Sequence, residues 1–383
     1  MPPAANVRMN HSQTASAISD VTPYLQEIEN VAQRGHKDLS TENLLIALVE
    51  IHRQQPAVLE EFVSAVLARA AQKPIEITPR AFRLSLLTTI KLYLRVRRIK
   101  DYEFFSVDSW KQVVLKCLTA VDDDFLRSCL RDVSTVKIYR YLALQLLGGI
   151  LDHSRVMSPE GLSILDGGCS INIGLKCLNN LDIFHPIEVA PDILDLFGGK
   201  LPYFVLGHAL GIDKYPPNLE RTLASLFPSE VKRWEDIYTR LYYLEKPKVS
   251  YRQQDILFLE QQPDYHERFD VVFLSSLLRR LTPHQIADVL RQVNYATNSH
   301  GVVVINEQMS EETIEGGGNY ATFILPKLAL ERVIRQTQQE IKLYALLNMA
   351  SQVFVYPDEN CRKVLAGNDF YDAVREYSSL AVG

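Results

Sequence analysis

Three carboxylates stand where short apolar runs end: Asp166 in ILDGGCSINIG, Asp213 in ALGIDKYPPN and Asp255 in YRQQDIL. Asp166 is followed by Gly167 and Gly168, then by Cys169, Ser170, Ile171, Asn172, Ile173 and Gly174. A bend of small residues that opens a helix leaves backbone N–H groups pointing outward, ready for an anion. A carboxylate directly before the glycines suits a cationic ligand group better than a diphosphate. Asp213 occupies the place where a carboxylate takes ribose hydroxyls. Asp255 can accept from an adenine amino group while the aliphatic Ile256 covers the ring face. A single acidic residue at a strand end is more often a helix cap or a solvated turn residue. Three in succession, together with the glycine bend, point to one shared ligand.

The stretch SSLLRRLTPHQ carries Ser275, Arg279, Arg280 and His284. His284 is a candidate general base for an alcohol or amine acceptor. Arg280, with Arg279, could orient a carboxylate or phosphate on a substrate. The plainer readings are a first-turn helix residue and a solvated charged turn. Five cysteines form no CxxC pair, and nine histidines give no HExxH, HxH or HxxxH spacing. Neither zinc nor a disulfide framework is supported, and a reducing cytoplasm is the expected compartment.

Two kinds of element must position these residues. From about residue 20 to 155 the chain reads as helices: TPYLQEIENVAQR, STENLLIALVEIHRQQ, AVLEEFVSAVLARAAQ, DSWKQVVLKCLTAVDDDFLRSCLRDV and KIYRYLALQLLGGILDH place apolar residues three and four apart. From about 160, short β-rich runs alternate with helical stretches: LSILDGG, YFVLGHALGID, KVSYRQQDI, FDVVFLSSL, GVVVINEQ and SQVFVYPDE. That alternation predicts a parallel sheet covered on both faces, with ligands at the carboxyl ends of its strands. Residues 1–20 read as a disordered polar lead-in, 21–155 as a helical domain and 156–383 as the α/β domain. No apolar run approaches the ~18 residues of a membrane span. The net charge of −5 argues against a protein that binds nucleic acid over its whole surface. The segment 79–100 nevertheless holds seven Lys/Arg and no acid. It reads as an amphipathic helix with solvated cations, with contact to RNA or an acidic partner as the sharper alternative.

At these residues the chain resembles the class I S-adenosylmethionine-dependent methyltransferases, over about residues 156–383. The likeness rests on ILDGGCSINIG as the first motif, GIDKYPPN as the ribose motif, QQDIL as the adenine motif, FDVVFLSSLLRRL as the fourth strand and LRQVNYATNSHGVVVINEQ as the helix, turn and fifth strand. It implies a doubly wound, mostly parallel, seven-stranded Rossmann-like sheet behind an all-helical N-terminal domain. It implies that Asp166, Gly168, Ser170, Asn172 and Gly174 hold the methionine part of S-adenosyl-L-methionine, Asp213 the ribose, and Asp255 with Ile256 the adenine, with Lys214 and Ser275 also binding the cofactor. Ser275 opens the stretch that faces the transferred methyl. The implied product is S-adenosyl-L-homocysteine and the implied acceptor an oxygen or nitrogen of a small metabolite. The helical domain would cover the substrate or make homodimer contacts.

The family more often has glycines where this chain has Ser170 and Asn172. The 47 residues from Asp166 to Asp213 exceed the roughly 20 expected between these elements. The extra piece, DIFHPIEVAPDILDLFGGKLP, reads as a lid and offers Glu188 as a rival ribose ligand. DNA amino methylation would want Asp/Asn-Pro-Pro-aromatic after the fourth strand, where SSLL stands, and cytosine-carbon methylation a cysteine near PHQ. Alternatives that stay open are aminocarboxypropyl transfer resembling the nicotianamine synthases, RNA methylation and a non-catalytic scaffold with a degenerate pocket. A nicotinamide-dependent oxidoreductase shares the fold, but Asp166 before the glycines argues against it.

Overall fold

The structure is a computed structural model. It describes residues 20–72, 77–119, 122–133, 136–153, 160–309, 319–337, 339–358 and 361–379. All but the last residue of the expected lead-in lies outside the described residues. The chain divides into two compact units, 1–134 with 223–233, and 135–222 with 234–383.

The first unit carries helices Thr22–Arg34, Leu39–Gln54, Pro56–Ala71, Pro79–Val96, Val107–Thr119 and Asp123–Cys129, and no strand among the described residues. Their apolar stripes meet in one core that includes Leu48, Val63, Phe82, Ile90 and Trp110. Asp38 caps the second helix through Thr41 N at 2.8 Å, and its other oxygen accepts from Ser229 N at 3.2 Å and Ser229 Oγ at 2.5 Å. The inserted segment 223–233 is thereby tied to this unit. The basic segment departs from the expected solvated face: Arg83, Lys91 and Arg95 are buried, and Arg80, Arg97, Arg98 and Lys100 are exposed. Arg83 pairs with Glu27 at 3.0 Å, and Lys91 donates to Leu226 O at 2.8 Å. Burial pulls the Lys91 ammonium down to about 8, against the opposing charges of Asp38 and Glu230.

The second unit holds strands β1 (Leu162–Gly167), β2 (Glu188–Val189), β3 (Leu206–Asp213), β4 (Val249–Gln253), β5 (Phe269–Ser275), β6 (Thr297–Gln308), β7 (Tyr320–Pro326), β8 (Ser351–Tyr356) and β9 (Lys363–Ala366). They form one sheet in the order β2-β9-β8-β7-β6-β5-β1-β3-β4. The run β4-β3-β1-β5-β6 is parallel throughout. The chain steps outward from β1 to β3 and β4, then returns to the other side of β1 for β5, so the switch point lies between β1 and β5. One apolar face joins Leu165, Leu210, Leu274 and Ile305 to Val289, Leu290 and Val293 of the helix Pro283–Ala296. That helix is held at its start by a capping box between Thr282 and Gln285.

The sheet has nine strands where seven were expected. β7 pairs antiparallel with β6 and β8 antiparallel with β7, so the parallel alternation of strand and helix ends at β6. β2 and β9 are short and add to the far edge. The helix Tyr141–His153, read from sequence with the N-terminal helices, lies in the second unit.

Candidate functional site

The end of β1 is laced to the end of β3. Gly168 N and Cys169 N both donate to Ile212 O, at 2.9 and 3.0 Å. Gly168, Ser170 and Asn172 all have positive φ, at 82°, 56° and 56°. Ser170 and Asn172 therefore take left-handed conformations that glycine adopts without strain, and asparagine tolerates them better than most residues. Ser170 N donates to Asp213 Oδ2 and Tyr215 N to Asp213 Oδ1, each at 3.0 Å. Burial raises the Asp213 carboxyl, opposed by these two N–H groups and by the charges of Lys214 and Arg280. The Asn172 side chain faces the sheet: its Nδ2 donates to Ser250 O at 2.8 Å. A Cβ on Gly211 would lie 2.3 Å from Asn172 Oδ1, so that glycine makes room for it.

Asp166, only 1% exposed, accepts from Tyr141 Oη at 2.6 Å. Burial pushes its carboxyl up to about 7, with the nearby Asp213 adding to the rise and the Tyr141 hydroxyl opposing it. A Cβ on Gly174 would fall 1.8 Å from the Tyr141 ring. Gly174 is thus what allows the tyrosine to reach Asp166. Sequence reasoning missed Tyr141, although a signal existed: Gly174 sits inside a helix, where glycine is costly unless something packs against it.

The third strand end joins through Ile256, whose Cδ1 lies 2.4 Å from where a Cβ on Gly167 would be. Asp255 caps the turn Ile256–Gln261, accepting from Leu257 N at 3.1 Å. Lys214 is exposed, its ammonium 5.1 Å from the Tyr215 ring centroid. Ser275 forms the last pair of β5 with β6, opposite Asn306. The three acidic strand ends thus share one edge on adjoining strands, and Asp166, Gly168, Ser170 and Asp213 are coupled most directly.

Two candidates lie apart from this arrangement. Both ring nitrogens of His284 already face partners, Nδ1 with Gln339 O at 3.0 Å and Nε2 with Glu340 at 3.6 Å. Glu188 sits in β2 at the opposite edge of the sheet, exposed and paired with Lys363 at 2.7 Å. It is removed as a rival to Asp213, and the insertion read as a lid supplies that edge strand.

Beyond β5 the edge changes sign. Arg140 bonds Ser276 Oγ and lays its guanidinium 4.1 Å from the Tyr320 ring centroid. Arg279 Nη1 donates to Gln308 Oε1 at 2.6 Å. Buried Glu307 accepts from Leu278 N at 2.9 Å; burial raises its carboxyl, against the charges of Arg279 and Arg140. Arg280 is exposed and acts on both Glu307 and Asp213 through its charge. Sequence reading missed Arg140, Glu307 and Tyr320: Glu307 comes beside β5 in the parallel β6, Tyr320 in the antiparallel β7, and Arg140 from the turn before the helix Tyr141–His153.

A nucleoside with a cationic amino-acid arm fits this donor and acceptor set. Asp213 retains lone pairs beyond its two backbone bonds, and the Asp166 carboxyl lies buried close by. No family model and no curated protein matches the chain. Among solved structures it is similar to a Listeria monocytogenes protein described as an S-adenosylmethionine-dependent methyltransferase, with 19% identity over 44% of this chain and 59% of that one, at a TM-score of 0.23. PKMT2 from Rickettsia typhi gives 15% identity over 46% of this chain and 27% of that one, TM-score 0.26. The N-methyltransferase NodS from Bradyrhizobium japonicum, in complex with S-adenosylhomocysteine, gives 13% identity over 56% and 84%, TM-score 0.25. The chain thus spans less than two thirds of the first two. The assignment rests on the chain's own strand order and strand ends, and by these the chain resembles the class I S-adenosylmethionine-dependent methyltransferases in fold.

Proposed function

We propose that the second unit binds S-adenosylmethionine across the ends of β1, β3 and β4 and transfers its methyl group to an oxygen or nitrogen of a small molecule. One observation carries this reading: Asp213 pins the glycine bend through Ser170 N, beside the buried Asp166 carboxyl, at the strand ends that flank the switch point. When bound, the cofactor supplies an electrophilic methyl on a sulfonium and departs as S-adenosylhomocysteine.

The chain's own residues bind and orient. Asp213 accepts from ribose hydroxyls with the lone pairs its backbone bonds leave. Asp255 and Ile256 take the adenine edge and face. Asp166, kept near the midpoint of its titration by burial, gains its full charge when a cation arrives. Tyr141 holds that carboxyl in place. Alignment alone can supply much of the rate for an in-line displacement. His284 has no part in this reading, because both its ring nitrogens face other groups.

Calorimetric titration with S-adenosylmethionine and S-adenosylhomocysteine tests the proposal: binding by wild type, lost on Asp213→Ala, is the expected result. Absence of binding by the wild-type protein overturns it. The by-product decides the reaction. S-adenosylhomocysteine identifies methyl transfer, and methylthioadenosine identifies aminocarboxypropyl transfer in its place.

A further inference from the structure

We propose that the edge formed by the ends of β5 and β6 and the start of β7 is an acceptor subsite for a carboxylate, contacted by Tyr320 Oη and the Arg279 guanidinium with Arg140 behind them. Its place beside the cofactor rests on the reading above, but its charge chemistry does not.

Tyr320 is 5% exposed and packs against Arg140, whose buried Nε has no hydrogen-bond partner among the described residues. A buried polar group without a partner is uncommon and costly, which is the signature of a group kept for a ligand. Two guanidinium groups flank its ring, Arg140 at 4.1 Å and Arg279 at 6.0 Å from the centroid. Arg140 is held in place by its bond to Ser276 Oγ.

Positive charge outweighs negative here. Arg140, Arg279 and Lys137 all act on Tyr320, and the Cys361 thiol opposes them. The buried acid close by, Glu307, gives one oxygen to Leu278 N and leaves Oε2 unpaired. The phenol reports the result. Burial by itself pushes a phenol up, yet Tyr320 is lowered, so the cations win at that hydroxyl. A field that favours phenolate also favours any anion placed against it.

A carboxylate suits the donors. Arg140 and Tyr320 are both 5% exposed and Arg279 is exposed, so a small group would meet Arg279 first and a polymer backbone could not reach the two buried side chains. Guanidinium groups match carboxylates in plane and spacing. β7 lies two strands beyond β5, or about 10 Å at ~4.8 Å per strand. The carboxylate therefore anchors the acceptor, and the nucleophile lies about that far from it, towards β5.

The test uses the full chain without cofactor. Phenolate absorbance is titrated for wild type and Tyr320→Phe, the difference isolating one of the 18 tyrosines. Benzoate is the probe, with neutral benzamide as control and inorganic phosphate as a second anion. Benzoate should raise the Tyr320 phenol by about one pH unit, a tenfold effect. Benzamide should leave it unmoved. Arg279→Gln should abolish the shift while melting at the wild-type temperature, and Arg279→Lys should restore part of it. No shift with benzoate, an equal shift in Arg279→Gln, or an equal shift with benzamide overturns the proposal. Phosphate acting more strongly than benzoate overturns the carboxylate assignment. Because no cofactor is present, a failure here leaves the cofactor reading standing, and a failure of cofactor binding leaves this result standing.

Discussion

The two halves of one sheet edge carry opposite charge. On the β1, β3 and β4 side stand Asp166, Asp213 and Asp255; on the β5, β6 and β7 side stand Arg279, Arg280 and Tyr320, with Arg140 laid across them. The helix-leading residues 140 and 141 serve both: Arg140 reaches Ser276 and Tyr320, and the next residue, Tyr141, reaches Asp166. Such a separation orients ligands by charge before shape. On the reading proposed above, a cationic arm would settle on the acidic half and an acidic acceptor on the basic half. In both halves burial raises a carboxyl, at Asp166 and at Glu307, but only the basic half supplies arginines to oppose the rise.

The comparison breaks if the acidic half carries no strained charge. The Asp166 carboxyl rises from 3.8 to about 7 on folding. Its favourable contribution is complete below pH ~4 and is lost as pH climbs to about 7, because the folded state then holds a proton that the unfolded state has released. Asp166→Asn should therefore stabilise the protein at pH 8 by something on the order of 4 kcal/mol relative to pH 4, read by denaturant unfolding at both values, while weakening S-adenosylmethionine binding. Wild-type affinity for the cofactor should itself rise as pH climbs through about 7. Equal stability gains at the two pH values would remove the strained carboxylate.

Asp213→Ala should lower cofactor affinity roughly a hundredfold or more by calorimetry, since it removes a charged acceptor and frees the bend from Ser170 N. Unchanged affinity would move the ribose elsewhere. Gly174→Ala should cost about 1–3 kcal/mol of stability by overpacking against Tyr141, and much less in a Tyr141→Ala background. Additive losses in that cycle would show that the glycine serves something other than the tyrosine. His284→Ala should change stability by no more than about 0.5 kcal/mol and leave cofactor affinity as it was, as for an exposed residue.

The acidic half was legible in the sequence and the basic half was not. Asp166, Asp213 and Asp255 each close a β-rich run, so their type and order survive without any tertiary knowledge. Tyr141 and Arg140 lie in a helical stretch more than 20 residues before β1 and were read with the N-terminal helices. Tyr320 opens a strand that periodicity passed over, since it pairs antiparallel with the strand before it. Glu188 looked as good as Asp213 by type, and the pairing of β2 with β9 took it to the far edge.

The sequence by itself determined local matters: the alternation of β-rich and helical runs, the acid at each early strand end and the small residues of the bend. Tertiary structure alone decided which charges became neighbours, which arginines and lysines of 79–100 went inside, and that the glycine at 174 answers a tyrosine 33 residues earlier. The physical reason is range. Turn and strand preferences act between residues close along the chain. Burial and Coulomb fields act between residues close in space, and only the closed sheet sets those distances.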